Sequence, residues 1–583
     1  MDTYSKNSID IPPGYPEYAA IEISKAGNQA AWGKKYGCTM DSLYIKTDPV
    51  DASNADRFEF DIYVKNYASF VSAIAGKSLR FYFASGSGRF DNRSTFDFDT
   101  QVKKSGWNHI VIYKSAIVND YNTDYSRIEW AGLEFWSCQG EVNPIGDTKV
   151  RIANICGVCD AQKKEDMPVP EAVYQKSLAL PYYADYKIKN STGGFAEGVI
   201  TVKVDVKTNS ATDIIPYWAD ENGKLEGYTS LYAFRITGEK TEFEIGPSVI
   251  IPKGAKKLLL YAKDYENDVI TDDCIAIDLP RGAASDENWG ELITEFQVAS
   301  DLHITIDGTN WNAYTNMLKD IVKLSPGSSG LFLNGDVPNS GADAEYRKHQ
   351  ELHALVKGAP DYYMSIGNHD FYQAKDHGDT QAQVQKRFAG YARYPDRTAP
   401  DSQHYDFWLS GYHFVFLGDD KITSDYLSST YTDKTLRWLR KTLQNNRDVN
   451  RPIFLFNHPP IQATVAGSLG EFKGFTGVYG ENAVRLKAVL KDFPEIILFN
   501  GHQHIELGYP NTMRPADSEM PTVFNTASAS QVATIRDRVK TKGSGSEGYY
   551  VYVYADKIIV RGRDFKNAKW IPSAQFCVKT GQK

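Results

Sequence analysis

Five polar motifs follow one another in fixed order through the second half of this chain, and each closes a short, largely apolar run. They are Asp301-Leu302-His303, Gly335-Asp336, Gly367-Asn368-His369-Asp370, Asn457-His458-Pro459-Pro460 and Gly501-His502-Gln503-His504. The runs before them are Ile293 to Ala299, Leu331 to Leu333, Tyr362 to Ile366, Ile453 to Phe456 and Ile496 to Phe499. Between the runs, apolar residues recur at helical spacing: Ala313, Tyr314, Met317, Leu318, Ile321 and Val322, then Leu436, Leu439 and Leu443, then Val484, Leu486, Val489 and Leu490. The pattern is a β-α-β alternation with a polar motif at each strand end, where open α/β sheets build their sites.

The residue types in these motifs are those of a metal site. Asp301 and Asp336 offer carboxylates, His303, His458, His502 and His504 offer imidazoles, and Asn368 offers a carbonyl oxygen. Five of the eleven histidines fall in the motifs and none of the six cysteines does. An all-nitrogen and oxygen donor set suits Fe, Mn, Zn, Co or Ni rather than a thiolate zinc site. A pair of such ions about 3.5–4 Å apart clamps the attacking and leaving oxygens of an in-line displacement.

The ordered set D-x-H, GD, GNHD, H and GHxH resembles the calcineurin-like metallophosphoesterase superfamily over residues 290 to 575. The resemblance implies a four-layer αββα catalytic domain spanning residues 286–583 and hydrolysis of a phosphate ester by a hydroxide bridging two ions of Fe, Mn or Zn. It implies that Asp336 bridges the ions, that Asp301, His303 and His504 complete one site, and that Asn368, His458 and His502 complete the other. His369 would stay off the metals and protonate the leaving oxygen, and Asp370 would either orient His369 or cap a turn. Purple acid phosphatases carry a ligating Tyr three residues after the bridging Asp; here that position is Asn339, which argues against a ferric chromophore. The second Gly-Asp, Gly418-Asp419, is left unassigned. Monoesters and diesters or nucleotides share this metal core, so the motifs do not choose between them. A glycan-binding surface protein with a decayed esterase domain is the rival of another class, and the complete ligand set argues against it.

Other candidates read more simply. His349, His353, His377 and His413 are expected to be structural. His404 precedes an aromatic strand that would border the pocket, and Arg387 and Arg393 are expected to be mostly solvated. Cys156-Gly157-Val158-Cys159 lacks both a second cysteine pair for zinc and a βαβ setting for redox work, so it reads as incidental thiols.

The 583 residues exceed one core and point to about three domains. Residues 1–165 alternate over Phe58 to Val64, Leu79 to Phe83, Trp107 to Ile112 and Leu133 to Trp136 with almost no helical spacing, which suggests a β-sandwich. The pattern from Trp107 to Ile155 resembles carbohydrate-binding-module-like jelly rolls. That implies a cell-surface or mucosal glycan as partner, although Trp107 and Trp136 themselves read as core. Gln162 to Pro170 reads as a linker. Residues 166–285 alternate over Val199 to Val206 and follow a Pro-Lys-Gly turn with Leu258 to Ala262, the pattern of an immunoglobulin-like or fibronectin-like sandwich. Residues 281 to 289 read as a second linker, and Tyr549 to Tyr554 with Lys557 to Arg561 as a hairpin around Ala555-Asp556.

A net charge of −8 with 24% charged residues argues against a general nucleic-acid binder, which would carry a basic face. No apolar run reaches the ~18 residues of a membrane span. Residues 1 to 20 carry no signal-peptide pattern. Even so, the 37 tyrosines and the β-rich N-terminal half look exported, so a secreted or cell-surface location with the leader removed is expected.

Overall fold

A computed structural model of the chain describes residues 21–23, 39–64, 67, 79–86, 92–98, 101–116, 119–120, 122–137, 150–158, 176–189, 193–265, 267–422, 429–472, 476–536 and 538–581. The chain divides into two compact units. One comprises Met1–Ala179, Asp205–Thr212 and Lys263–Thr271; the other comprises Leu180–Val204, Asp213–Ala262 and Asp272–Lys583. The linker at Gln162 to Pro170 and the side chains of Trp136 and Cys156 lie outside the described residues.

In the first unit, strands Ile21–Ile23, Val150–Val158, Arg57–Val64 and Gly106–Tyr113 form one antiparallel sheet. Thr39–Val50, Ile128–Ser137, Leu79–Ala84, Arg93–Asp97 and Asn119–Asp120 form another. Alternation sends Phe58, Phe60 and Ile62 of the first sheet and Phe81, Phe83 and Leu133 of the second into one core. Phe58 meets Phe83 at 4.1 Å between ring centroids, and Phe60 meets Phe81 at 4.6 Å. Much of the aromatic richness of this segment is therefore core, whereas Trp107 is half-buried and Tyr113 exposed.

The second unit holds the five motifs. Its motif-bearing part runs β1 (Thr294–Ala299), α1 (Trp311–Leu324), β2 (Leu331–Asn334), α2 (Asp343–Leu355), β3 (Tyr362–Ser365), α3 (Gln381–Tyr391), β4 (Tyr405–Leu409) and β5 (Tyr412–Phe416). It continues with α4 (Asp433–Gln444), β6 (Ile453–Phe456), α5 (Gly480–Leu490), β7 (Ile496–Asn500), β8 (Met513–Arg514), β9 (Thr522–Asn525), β10 (Glu547–Val553), β11 (Lys557–Asp564) and β12 (Lys569–Lys579). One six-stranded sheet has the order β3-β2-β1-β10-β11-β12 and the other β4-β5-β6-β7-β9-β8. β1, β2 and β3 pair in parallel, as do β5, β6, β7 and β9. Every residue of β2, β5, β6 and β7 is buried, as expected of parallel strands covered on both faces.

Phenylalanines fill the space between the sheets. Phe296 of β1 lies 4.8 Å from Phe454 of β6, and Phe332 of β2 lies 4.5 Å from Phe414 of β5. The alternate residues of the second sheet, Val415, Leu455, Leu498 and Val523, turn the other way. There they share a core with Leu436, Leu439 and Leu443 of α4 and Leu486, Val489 and Leu490 of α5. On the outer face of the first sheet, α1 is tied down by a buried polar cluster. Arg563 of β11 donates twice to Asp320, at 2.7 and 2.9 Å, and the Tyr550 hydroxyl of β10 donates to it at 2.9 Å.

The middle segment meets this part through its backbone. Strands Tyr183–Ile188, Gly198–Lys203 and Lys240–Ile245 form one sheet, and Asp213–Ala219 and Lys257–Asp264 lie in another. The Ile250 amide donates to the Gln575 carbonyl at 2.8 Å and the Cys577 amide to that of Ser248 at 3.0 Å. These bonds cover β12, the open edge of its sheet, which would otherwise present unpaired backbone groups. Arg536 adds a bidentate pair to Asp213 at 2.7 and 3.1 Å.

Asp320→Ala removes the partner of a buried guanidinium without filling its place. It is expected to cost about 3–5 kcal/mol. Urea unfolding checks this, with Asp320→Asn losing less because an amide oxygen still accepts.

Candidate metal centre

All five motifs arrive at one place because they occupy the carboxyl ends of neighbouring parallel strands. Asp301 and His303 follow β1, Asp336 follows β2, Asn368 and His369 follow β3, His458 follows β6, and His502 and His504 follow β7. Five of these residues bend through the left-handed region: Asp301 (φ 55°), His303 (46°), Asp336 (51°), His502 (69°) and His504 (60°). Such turns are uncommon outside glycine and are tolerated best by Asn, Asp and His. They let the chain leave a strand and immediately aim a short polar side chain sideways.

The glycines of the motifs make room. A Cβ on Gly335 would overlap the His458 ring, one on Gly367 the Asp336 carboxylate, and one on Gly501 the Ser300 hydroxyl. Backbone bonds lock the loops together. The Asp301 amide donates to the Gly335 carbonyl (3.1 Å), the His303 amide to that of Asp336 (3.0 Å), and the Gly501 amide to that of His458 (2.8 Å).

The side chains converge. His504 Nε2 lies 3.0 Å from Asp301 Oδ1 and 3.1 Å from His303 Nε2. His458 Nε2 lies 3.2 Å from Asp336 Oδ2, and His502 Nδ1 lies 2.7 Å from Asn368 Oδ1. Three clusters of close ligand atoms result: Asp301, His303 and His504; His303, Asp336 and His369; and Asp336, His458 and His502. Asp301 Oδ1 and His458 Nε2 are buried yet make no hydrogen bond. Each faces an opposite charge at 3.0–3.2 Å but without hydrogen-bond geometry, an arrangement that suits groups aimed at a shared cation. The oxygen and imidazole chemistry of the set fits a divalent or trivalent metal.

Outer contacts fix which nitrogen faces inward. His458 Nδ1 donates to the Asn334 carbonyl (2.7 Å) and His504 Nδ1 to that of Gln531 (2.9 Å), leaving each Nε2 free to ligate. His502 is turned the other way: its Nε2 meets the Thr476 hydroxyl at 2.8 Å, so Nδ1 faces the cluster. His369 Nδ1 lies 2.6 Å from the Asn339 carbonyl, and its Nε2 stands 4.0 Å from Asp336 Oδ2.

The charges are interdependent. Burial opposes ionisation of Asp301, but His504 and His458 hold its carboxyl below the usual carboxylate range. Burial likewise opposes ionisation of Asp336, and His458 and His369 overcome it. For His458, burial is outweighed by Asp336 and Asp301, which push it up to about 10. His502 is driven down to about 3 by burial and the neighbouring His458.

The other candidates are placed as follows. The buried Asp370 carboxylate accepts from the Tyr346 hydroxyl and from the Gly367 amide (2.8 Å), so it braces the turn carrying Asn368, while the Asn339 carbonyl holds His369. Burial and Asp336 raise Asp370 to about 7. Asp419 is buried at the end of β5, outside the three clusters, and burial raises it to about 6. His404 accepts from the Gly418 amide at 3.1 Å and faces Asp420 at 3.1 Å, next to the site but not in it. His349 and His353 share the Tyr314 hydroxyl, each at 2.8 Å, and His413 pairs with Asp406 at 2.8 Å. Arg387 pairs with Asp379, and Arg393 donates to the Gly390 and Ala392 carbonyls. Thr476, Tyr346 and the carbonyl of Gln531 escape sequence reading because each supports a motif residue (His502, Asp370 and His504) from a distant element with no motif of its own.

Residues 296–506 match the family model described as Calcineurin-like phosphoesterase. This segment is a calcineurin-like phosphoesterase domain. It is thus a metal-dependent phosphoric ester hydrolase by family, with clustered Asp and His residues able to hold metal. None of the curated protein sequences matches the chain. Among solved structures, it is similar to the purple acid phosphatase PPD1 from yellow lupin (Lupinus luteus) at 10% identity and a TM-score of 0.37, over 93% of each chain. It is also similar to the NAD nucleotidase of Haemophilus influenzae at 12% identity and a TM-score of 0.23, over 49% of each chain. A 5′-nucleotidase precursor from Thermus thermophilus shows 13% identity and a TM-score of 0.22, over 49% of this chain and 54% of that one.

Gly367→Ala puts a methyl group where the Asp336 carboxylate now lies. The variant is expected to keep the wild-type circular dichroism spectrum but to bind metal at least roughly tenfold more weakly, as supporting-shell losses do. Titration against a competing chelator measures this.

Proposed function

We propose that this protein hydrolyses phosphate esters with the help of two metal ions, which Asp336 would share. Asp301, His303 and His504 would hold one ion, and Asn368, His458 and His502 the other. The observation that carries the reading is the place of Asp336, grouped with His458 and His502 on one side and within ligand distance of His303, itself grouped with Asp301 and His504, on the other. When bound, two such ions polarise the phosphoryl oxygens, offset their charge and lower the pKa of water.

The chain's own residues supply the rest. Asp301 and Asp336 bring negative charge that favours cations, and their loops are held by the backbone bonds between the motifs. With Nδ1 anchored on the Asn339 carbonyl, His369 presents Nε2 to the leaving oxygen and gives it a proton as the ester bond breaks. Asp370 acts on this step indirectly, by bracing the turn. The reading covers monoesters first, with diesters or nucleotides as the alternative.

Asp336→Ala is expected to lose most bound metal together with activity; elemental analysis showing two ions retained per chain would contradict the bridge. His369→Ala is expected to keep the metals but to slow esters of poor leaving groups by about 10²–10⁴-fold. Aryl esters with good leaving groups should suffer less, and kinetics across a leaving-group series read the difference.

For the N-terminal part, a jelly-roll-like domain over residues 1–165 and an immunoglobulin-like one over 166–285 remain our assignment, with export from the cell. Weak glycan binding by residues 1–165 draws on exposed aromatics such as Tyr113. A glycan array with no saturable hit would remove it.

A further inference from the structure

Beside the metal ligands stands a cation that the reaction as described does not use. The hairpin Ala533–Arg536 and Val539–Lys542 pairs Ile535 with Lys540 and Arg536 with Val539. Cross-strand partners share a face. Ile535 is buried and Val539 is 60% exposed, so Lys540 lies on the packed face of the hairpin while an apolar residue is turned outward. That inversion of the usual pattern puts an ammonium where a hydrophobic side chain is expected.

The packed face looks onto the ligand loops. Arg538 donates to the Gly470 carbonyl at 3.2 Å, and Ala533 and Ile535 share a small core with Ala466, Phe472 and Ile505. Lys540 Nζ donates to Gln503 Oε1 at 3.0 Å and to the Gln503 carbonyl at 3.2 Å, and Gln503 sits between the ligands His502 and His504. Gln503 Nε2 donates in turn to the Thr476 carbonyl at 2.7 Å, next to the hydroxyl that holds His502. The ammonium also lies 5.1 Å from the Phe472 ring centroid.

Both hydrogen-bond acceptors are neutral, and among the described residues no carboxylate lies within ion-pair distance of Lys540. Asp301 attracts the ammonium only from beyond ion-pair distance and Lys542 repels it, so a half-buried ammonium with neutral hydrogen-bond partners and one donor to spare is an incompletely compensated arrangement. An anion brought by the substrate completes it. We propose that Lys540 is a specificity-determining residue that binds a second anionic group, phosphate or carboxylate, carried by the phosphate ester, with Phe472 as the apolar wall beside it. The proposal rests on the esterase reading above.

Three probes with aryl leaving groups test it on the full-length, metal-loaded protein: phenyl phosphate, 4-carboxyphenyl phosphate and 1,4-phenylene bisphosphate. Wild type is expected to favour at least one charged probe in kcat/KM over phenyl phosphate. Lys540→Met is expected to lower that preference roughly tenfold or more, the size of one charge-assisted hydrogen bond, and Lys540→Arg to keep most of it. Whether the carboxylate or the bisphosphate probe responds tells which anion is meant. No preference in wild type overturns the proposal even if the variants misfold, and so does a preference unchanged in Lys540→Met. If wild type hydrolyses none of the three, the monoesterase reading fails and this inference falls with it.

Discussion

Two carboxylates, Asp301 and Asp336, are buried at the meeting point of two sheets, and they are kept ionised by imidazoles. Everything around the centre follows from that burial. An isolated carboxylate in such a place would take up a proton. Here His504 and His458 stabilise one and His458 and His369 the other, so the anions and imidazoles depend on each other. The cluster has more ligating atoms than it has internal hydrogen bonds, which is what a cation site requires and what a purely structural salt bridge avoids.

The backbone is committed to the same end. Five residues of the candidate cluster sit at positive φ, a strain on the order of 1–3 kcal/mol each in unfavourable cases. The bonds between loops and the tight glycines Gly335, Gly367 and Gly501 hold that geometry. Rigidity comes from behind, where the stacked phenylalanines join the sheets and the two helices α4 and α5 close the outer face. The floor of the site is thus a packed core, and its chemistry stands on short loops that have little freedom to move.

The convergence of the five motifs was legible in the sequence because a parallel strand end is marked twice, by the apolar run and by the polar motif after it. Asp301, Asp336 and His458 are examples. The supports were not legible. Thr476 and Gln531 act from loops whose proximity depends on the whole fold, and Asn339 holds His369 with a backbone carbonyl that any residue would offer. Aromatic richness in residues 1–165 was ambiguous for a related reason: composition does not say which face of a strand is packed, and Phe58, Phe60, Phe81 and Phe83 are packed. The backbone bonds from Ser248 and Ile250 to β12 were likewise invisible, since edge pairing needs no side-chain signature.

The most direct test of a dinuclear centre is anomalous diffraction from crystals of the full-length protein soaked with manganese. The account predicts two peaks flanking the Asp336 carboxylate, one bounded by Asp301, His303 and His504 and the other by Asn368, His458 and His502. A single peak, or peaks away from Asp336, would contradict it.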